Sequence, residues 1–268
     1  MRYPDVKYGK YVLRAIPAKS GKGFEGCVID HLEFGVFTDG TREGLLGKLQ
    51  HCVRHNVPEF IGYKQAKAQF LQRFPLGFKD PEIGLRRDSE LSPKRDAVRL
   101  INERLPLQAA LDGKGDGKVL AAIMAKPGIF VGPEIAKIRD ALLSESGTEM
   151  VKVLAQFAAG EVDVADAGKR LVKLKGNDLA TWTKITLPAM LWSPAKHALL
   201  QPSVSQEFAA AVGNEYRYQS ELDASTYRSY LKMLNELANE IRDLEPVDFV
   251  DLQTFAHVSI KHPLPRTA

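Results

Sequence analysis

The sequence predicts a mostly α protein, a helical bundle with a small N-terminal α+β element. Three observations carry that expectation. From Tyr63 onward, apolar side chains recur at helical spacing in one stretch after another, with short loops between them. Several of these stretches open on a Ser, Thr, Asp or Pro suited to a helix start. Ahead of Asp39 the pattern changes to short alternating runs around a glycine-rich turn. The 268 residues, 44% of them apolar, suffice for one large domain or two modest ones. The loop Asp112–Gly117 is the natural boundary, dividing the chain into 1–111 and 112–268.

In chain order, Tyr11 to Ile16 reads as a strand and a second strand starts near Gly26. The turn between them holds glycines and lysines but lacks the spacing of a phosphate loop. His31 to Thr38 reads as a third short strand, and Asp39-Gly40 as a turn. Thr41 caps a helix to about Arg54, with Leu45, Leu46, Leu49, Cys52 and Val53 on one side; Gly44 and Gly47 weaken it. Tyr63 to Phe74 is an amphipathic helix, and Ser92-Pro93 opens another that runs to about Leu105. The charges around that helix, Arg86, Arg87, Asp88, Glu90, Lys94, Arg95, Asp96, Arg99, Glu103 and Arg104, read as intrahelical pairs as readily as a DNA surface.

Helices then follow at Lys118–Lys126, Pro133–Leu143, Thr148–Ala158 with Thr148 as cap, and Val164–Leu174. The stretch from Asn177 to Gly213 holds both tryptophans and reads as helix, turn, helix. Pro188 weakens or kinks the first of these helices, and Ser203 or Ser205 caps the second. Asp223 caps the longest helix, which stops at Glu245-Pro246. Asp248 and Asp251 follow among Val247, Phe249, Val250 and Leu252, a placement that buries a carboxylate, presents it at a cleft mouth, or uses Asp251 as the cap of a last short helix. The tail from Lys261 reads as frayed.

Net charge is +4, which tolerates a polyanionic partner without demanding one. Lys169, Arg170, Lys173, Lys175 and Lys184 outnumber the one acid among them, Asp178, and are the best candidates to face phosphates. The alternative is a solvated helix face. Two cysteines make neither a disulfide scaffold nor a four-ligand zinc site. His51 and His55 lie four apart on a helix, but Cys52 points away from them; the expectation is no metal and no cofactor. No run reaches the length of a membrane span and no signal segment follows the charged first residues, so a cytoplasmic protein off the membrane is expected. The nucleophile elbow, the dinucleotide fingerprint, the His-Glu-x-x-His motif and the zinc-deaminase pattern are all missing.

Short strands, a helical bundle with a basic approach, and Pro246-Val247-Asp248 ahead of a terminal helix together resemble the helical DNA glycosylases of the helix-hairpin-helix superfamily. The resemblance covers about the last hundred residues; where that family has its Gly-rich hairpin, this chain has Gly176-Asn177-Asp178. It implies a DNA-repair hydrolase acting on duplex DNA, with Asp248, or Asp251 in its place, assisting cleavage of the base–sugar bond. Lys173, Lys175, Lys184, Lys196 and His197 would hold phosphates, while Trp192, Tyr216 or Tyr218 would stack on the extruded base. Two other readings stand beside it. A non-enzymatic nucleic-acid-binding protein would use the same basic residues without the carboxylates. A helical protein-interaction module would use the tyrosine-rich stretch Glu215–Tyr230.

Overall fold

The computed structural model describes residues 3–57, 59–85 and 91–261. Arg86, Arg87, Asp88 and Glu90, and the tail 262–268, lie outside the described residues. The fold is a helical bundle with a small N-terminal four-stranded sheet, as the patterning predicts. Two compact units divide the chain. One comprises Met1–Ala68 with Glu207–Glu215, the other Gln69–Gln206 with Tyr216–Ala268. Residues 69–111, grouped with the N-terminus by sequence, pack instead with the helices that follow them.

In the first unit, β1 (Val6–Tyr8), β2 (Tyr11–Pro17), β3 (Phe24–Ile29) and β4 (Val36–Asp39) form an antiparallel meander in the order β1-β2-β3-β4. β1 was not legible in the sequence. His31 to Thr38 is not one strand; a 3-10 turn at Leu32–Phe34 and Gly35 at φ 92° precede β4. The register pairs Leu13 with Val28 and Ala15 with Gly26, so these residues share the face that α1 (Arg42–Asn56) covers. Thr41 caps α1 as expected, its hydroxyl accepting from Gly44 N at 3.1 Å. Leu45, Leu49 and Val53 meet Tyr11, Leu13 and Phe60 in the core.

Into the second unit run α2 (Gly62–Arg73), which crosses the boundary, then α3 (Pro81–Leu85), α4 (Leu91–Arg104), α5 (Leu107–Leu111), α6 (Gly117–Met124), α7 (Gly132–Leu142), α8 (Gly147–Ala159) and α9 (Val164–Lys173). They are followed by α10 (Trp182–Trp192), α11 (Pro202–Val212), which crosses back, α12 (Ala224–Glu240) and α13 (Phe249–Lys261). Several helix starts differ from the sequence reading. α4 already includes Ser92. α8 starts before Thr148, at Gly147, where a Cβ would lie 2.0 Å from Leu142 O, so close approach sets that boundary. Ser203 and Ser205 sit inside α11, behind Pro202 at its first position. α12 is capped by Asp223, with Thr226 N 2.8 Å from its carboxylate, and ends at Glu240, ahead of Glu245.

α10 is the hub of this unit and packs on α4, α6, α8 and α9. Pro188 lies inside it without ending it. Every residue from Lys184 to Trp192 is buried, and that packing outweighs the lost backbone bond, which costs about 3 kcal/mol in an exposed helix. The irregular segment Ala198–Leu200 is buried beside it. Side chains satisfy its backbone: Tyr227 Oη accepts from Ala198 N and donates to Ala198 O, Tyr230 Oη and Gln253 Nε2 donate to Leu199 O, and Leu200 N donates to Thr186 Oγ1.

Candidate functional site

Asp248 stands just ahead of α13 and Asp251 in its first turn. Both reach Arg95 on α4, which packs against α13. Arg95 Nη1 donates to Asp248 Oδ2 at 2.5 Å and Nη2 to Asp251 Oδ1 at 2.6 Å. Each remaining carboxylate oxygen accepts a backbone bond, Asp248 Oδ1 from Val250 N at 2.9 Å and Asp251 Oδ2 from Val247 N at 2.8 Å. Asp248 is therefore the residue that caps the last helix, while Asp251 reaches back across the turn. The two side chains are 8% and 4% exposed, and that of Arg95 33%. Burial pulls the guanidinium pKa down, but the two carboxylates together outweigh it and leave the pKa above the ordinary value. A carboxylate acting as base or nucleophile needs an oxygen aimed at substrate; all four oxygens here are engaged, two by Arg95 on α4 and two by backbone N–H groups at the start of α13. Arg95 was legible only as part of a mixed-charge helix, because no local spacing connects it with residues so far along the chain.

The basic residues stand in different settings. Lys173 and Lys175 are exposed at the C-terminal end of α9 and in the turn after it. Lys184 is buried on α10. Lys196 is exposed, and the His197 ring packs 5.0 Å from Phe157 and 6.1 Å from Tyr227. Burial lowers the His197 pKa; a hydrogen bond with the Ala158 backbone opposes that shift and Lys196 adds to it. His197 is thus a neutral packing residue near the end of α8, and the length of α9, about 15 Å, separates that end from Lys173.

Of the three aromatic candidates, Trp192 is 5% exposed and donates from Nε1 to Leu105 O at 2.8 Å. Tyr216 is 6% exposed, its hydroxyl 3.4 Å from Ser205 Oγ. Neither presents a ring face to a base. Tyr218 is half-buried, its ring 6.5 Å from that of Trp182.

The first unit contains what the sequence did not reveal, an open groove of about 690 Å³ along α1. Gly44, Gly47, His51 and His55 follow one stripe of the helix, with Lys48 beside it, and Phe34 and Phe37 form the opposite wall. Added at Gly47, a Cβ would meet no atom within 4 Å; at Gly44 it would come within 2.4 Å of Asp39 Oδ1. Gly47 therefore leaves open space, whereas Gly44 allows a close approach. The His51 and His55 rings are exposed and near parallel, at 14° with centroids 6.5 Å apart. Lys48 is anchored, its Nζ 2.9 Å from both Thr38 O and Asp39 Oδ2. Cys52 is buried, its Sγ 3.5 Å from Phe34 O and 3.3 Å from Asn56 Nδ2, and burial raises its pKa despite the Asn56 bond. It is no thiolate nucleophile. Among the described residues no carboxylate lines the groove. No group of three or more His, Cys, Asp or Glu is placed to hold a metal ion among them. The signal in the sequence was partial: the His pair and the two glycines were visible, the phenylalanine wall was not.

Comparison of the chain with protein-family models, curated proteins and solved structures gives no match. Among the described residues no helix is long and apolar enough to cross a membrane.

Proposed function

We propose that this protein is a non-enzymatic nucleic-acid-binding protein that takes single-stranded segments in the groove along α1. The observation that carries the reading is the groove's lining: Phe34, Phe37, His51 and His55 offer ring surfaces, and Lys48, paired with Asp39 at the groove's edge, a positioned cation. Single strands expose base faces to such platforms, and stacking contributes about 1–3 kcal/mol per base. A duplex hides those faces, which is why the reading favours single strands over the duplex that the glycosylase resemblance implies. Filling the groove without touching the core tests this. Gly47→Leu places a side chain in the open space, and fluorescence anisotropy of a labelled single-stranded oligonucleotide follows binding. The expected result is salt-sensitive binding by the wild type and a loss of about tenfold or more in the variant, the equivalent of losing one stacked base. Equal binding by the two proteins, or none by the wild type, overturns the reading.

A second reading, the DNA glycosylase with Asp248 or Asp251 as its carboxylate, draws support from one observation: two aspartates meet at a single guanidinium that is one-third exposed. A DNA phosphate competing for Arg95 would free an oxygen. The same preparation, incubated with duplex DNA carrying modified bases and then treated with alkali, separates the two. Breaks that need alkali and disappear in a folded Asp248→Asn variant would establish base excision.

A further inference from the structure

We propose that His51 and His55 clamp one unpaired purine base between their rings. This rests on the nucleic-acid reading of the groove and names what the groove holds. The two residues stand four apart on α1, which sets them about 6 Å apart along the helix axis. Their rings are stacked at 14° with centroids 6.5 Å apart. Ring atoms in contact lie about 3.5–4.0 Å apart, so a flat ring between two others needs about 7 Å or slightly more. The imidazoles are thus too far apart to touch, and a small rotation of either opens the width that admits a third ring. A closed stack beside the groove gives the contrast: His31 lies on Phe34 with centroids 4.9 Å apart at 17°. That pair leaves no room for a guest.

The chemistry around the slot selects its occupant. Among the described residues neither His51 nor His55 makes a hydrogen bond or an ion pair, whereas His31 is tied to Glu33 and His197 to Tyr227. Both rings can therefore turn about their side-chain bonds and close on a guest. Lys48 is held by Thr38 O and Asp39, so its charge is already answered and the grip comes from ring faces. A guest held between two ring faces is itself flat, and a single strand offers its bases in that form. A purine, with two fused rings, covers more of both imidazoles than a pyrimidine does, and preferences among single strands follow stacking strength. Gly47 stands one turn before His51, and a Cβ added there would meet no atom within 4 Å. That open surface receives the nucleotide next to the clamped base.

Fluorescence anisotropy on the full chain tests the clamp with two labelled probes, an oligothymidine and the same strand with one central adenine. The wild type is expected to bind the adenine strand about threefold or more tighter. His51→Ala and His55→Ala, both changes of exposed side chains, should each abolish that preference. The double alanine variant should do no worse than either single one, because a clamp needs both walls. His51→Phe/His55→Phe should keep the preference, which separates a ring face from an imidazole's charge or its metal-binding nitrogens. Adenosine monophosphate at the strand's own concentration should not displace the strand; displacement would put a free nucleotide in the clamp and overturn the strand's part in the proposal. A wild type without adenine preference, a preference that survives the alanine variants, alanine losses that simply add, or a phenylalanine pair that behaves like the alanine pair overturns the clamp and leaves the strand-binding groove standing. No binding of either strand by the wild type overturns both.

Discussion

Arg95 neutralises two carboxylates that are almost out of water. Removing it leaves both charges buried without a counter-ion, which typically costs about 3–5 kcal/mol. Arg95→Ala is expected to lower unfolding stability by about 3 kcal/mol, because one-third exposure of the pair's cation lets water recover part of the loss. Asp248→Asn keeps a side-chain oxygen for Val250 N and should lose less. Urea unfolding of the two variants against wild type checks both the size and the order. At this scale the sequence was half legible. The apolar neighbours of Asp248 and Asp251 left burial, a cleft mouth or a helix cap open; both side chains are nearly out of water, and the capping residue is Asp248 rather than Asp251. The missing half was Arg95, since an ion pair joining α4 to α13 leaves no mark in the local spacing of either helix. His197 and Trp192 show the same limit: each stands in a basic or aromatic stretch suited to nucleic acid, and each is turned into packing by residues distant in sequence.

α1 illustrates the scale of the element. Thr41, Leu45, Leu49 and Val53 are enough to predict a capped helix with one buried face, and that helix is present. The two interior glycines look alike in sequence, and each would weaken a helix by about 1 kcal/mol relative to alanine. Their surroundings separate them. Gly47→Ala is expected to raise stability by about 0.5–1 kcal/mol, since the new methyl enters open space. Gly44→Ala is expected to lower it, since the methyl would press on Asp39 and Thr41. Thermal melts of the two single variants give opposite signs if the groove is open as described. α10 is the converse case. Local propensity reads Pro188 as a weakening or kinking of the helix; α10 runs through it, and burial of the surrounding residues outweighs the lost bond.

For the whole molecule, the N-terminal unit is not continuous in sequence. The segment Glu207–Glu215 belongs to it. Ile61 N donates to Ala211 O at 2.7 Å, the Tyr63 ring lies 6.3 Å from Phe208, and a Cβ at Gly213 would meet Phe60 at 2.5 Å. A fragment ending at Ala68 loses these partners and uncovers Phe60. Hydrogen exchange is expected to show weaker protection of the β2 and β3 amides in that fragment than in the full chain; equal protection would mean that the first sixty-eight residues are a self-sufficient domain. A boundary drawn at a glycine-rich loop, as at Asp112–Gly117, marks a change of element and not a change of core. The sequence by itself determined the class of fold, the succession of helices, the caps at Thr41 and Asp223, and the apolar faces that make the core, because those follow from period and short-range hydrogen bonding. Tertiary structure alone decided which carboxylates are neutralised, which lysines are exposed, which glycine opens a groove and which distant segment completes the first unit. Those outcomes depend on side chains brought together from far along the chain, and a local pattern carries no record of its distant partners.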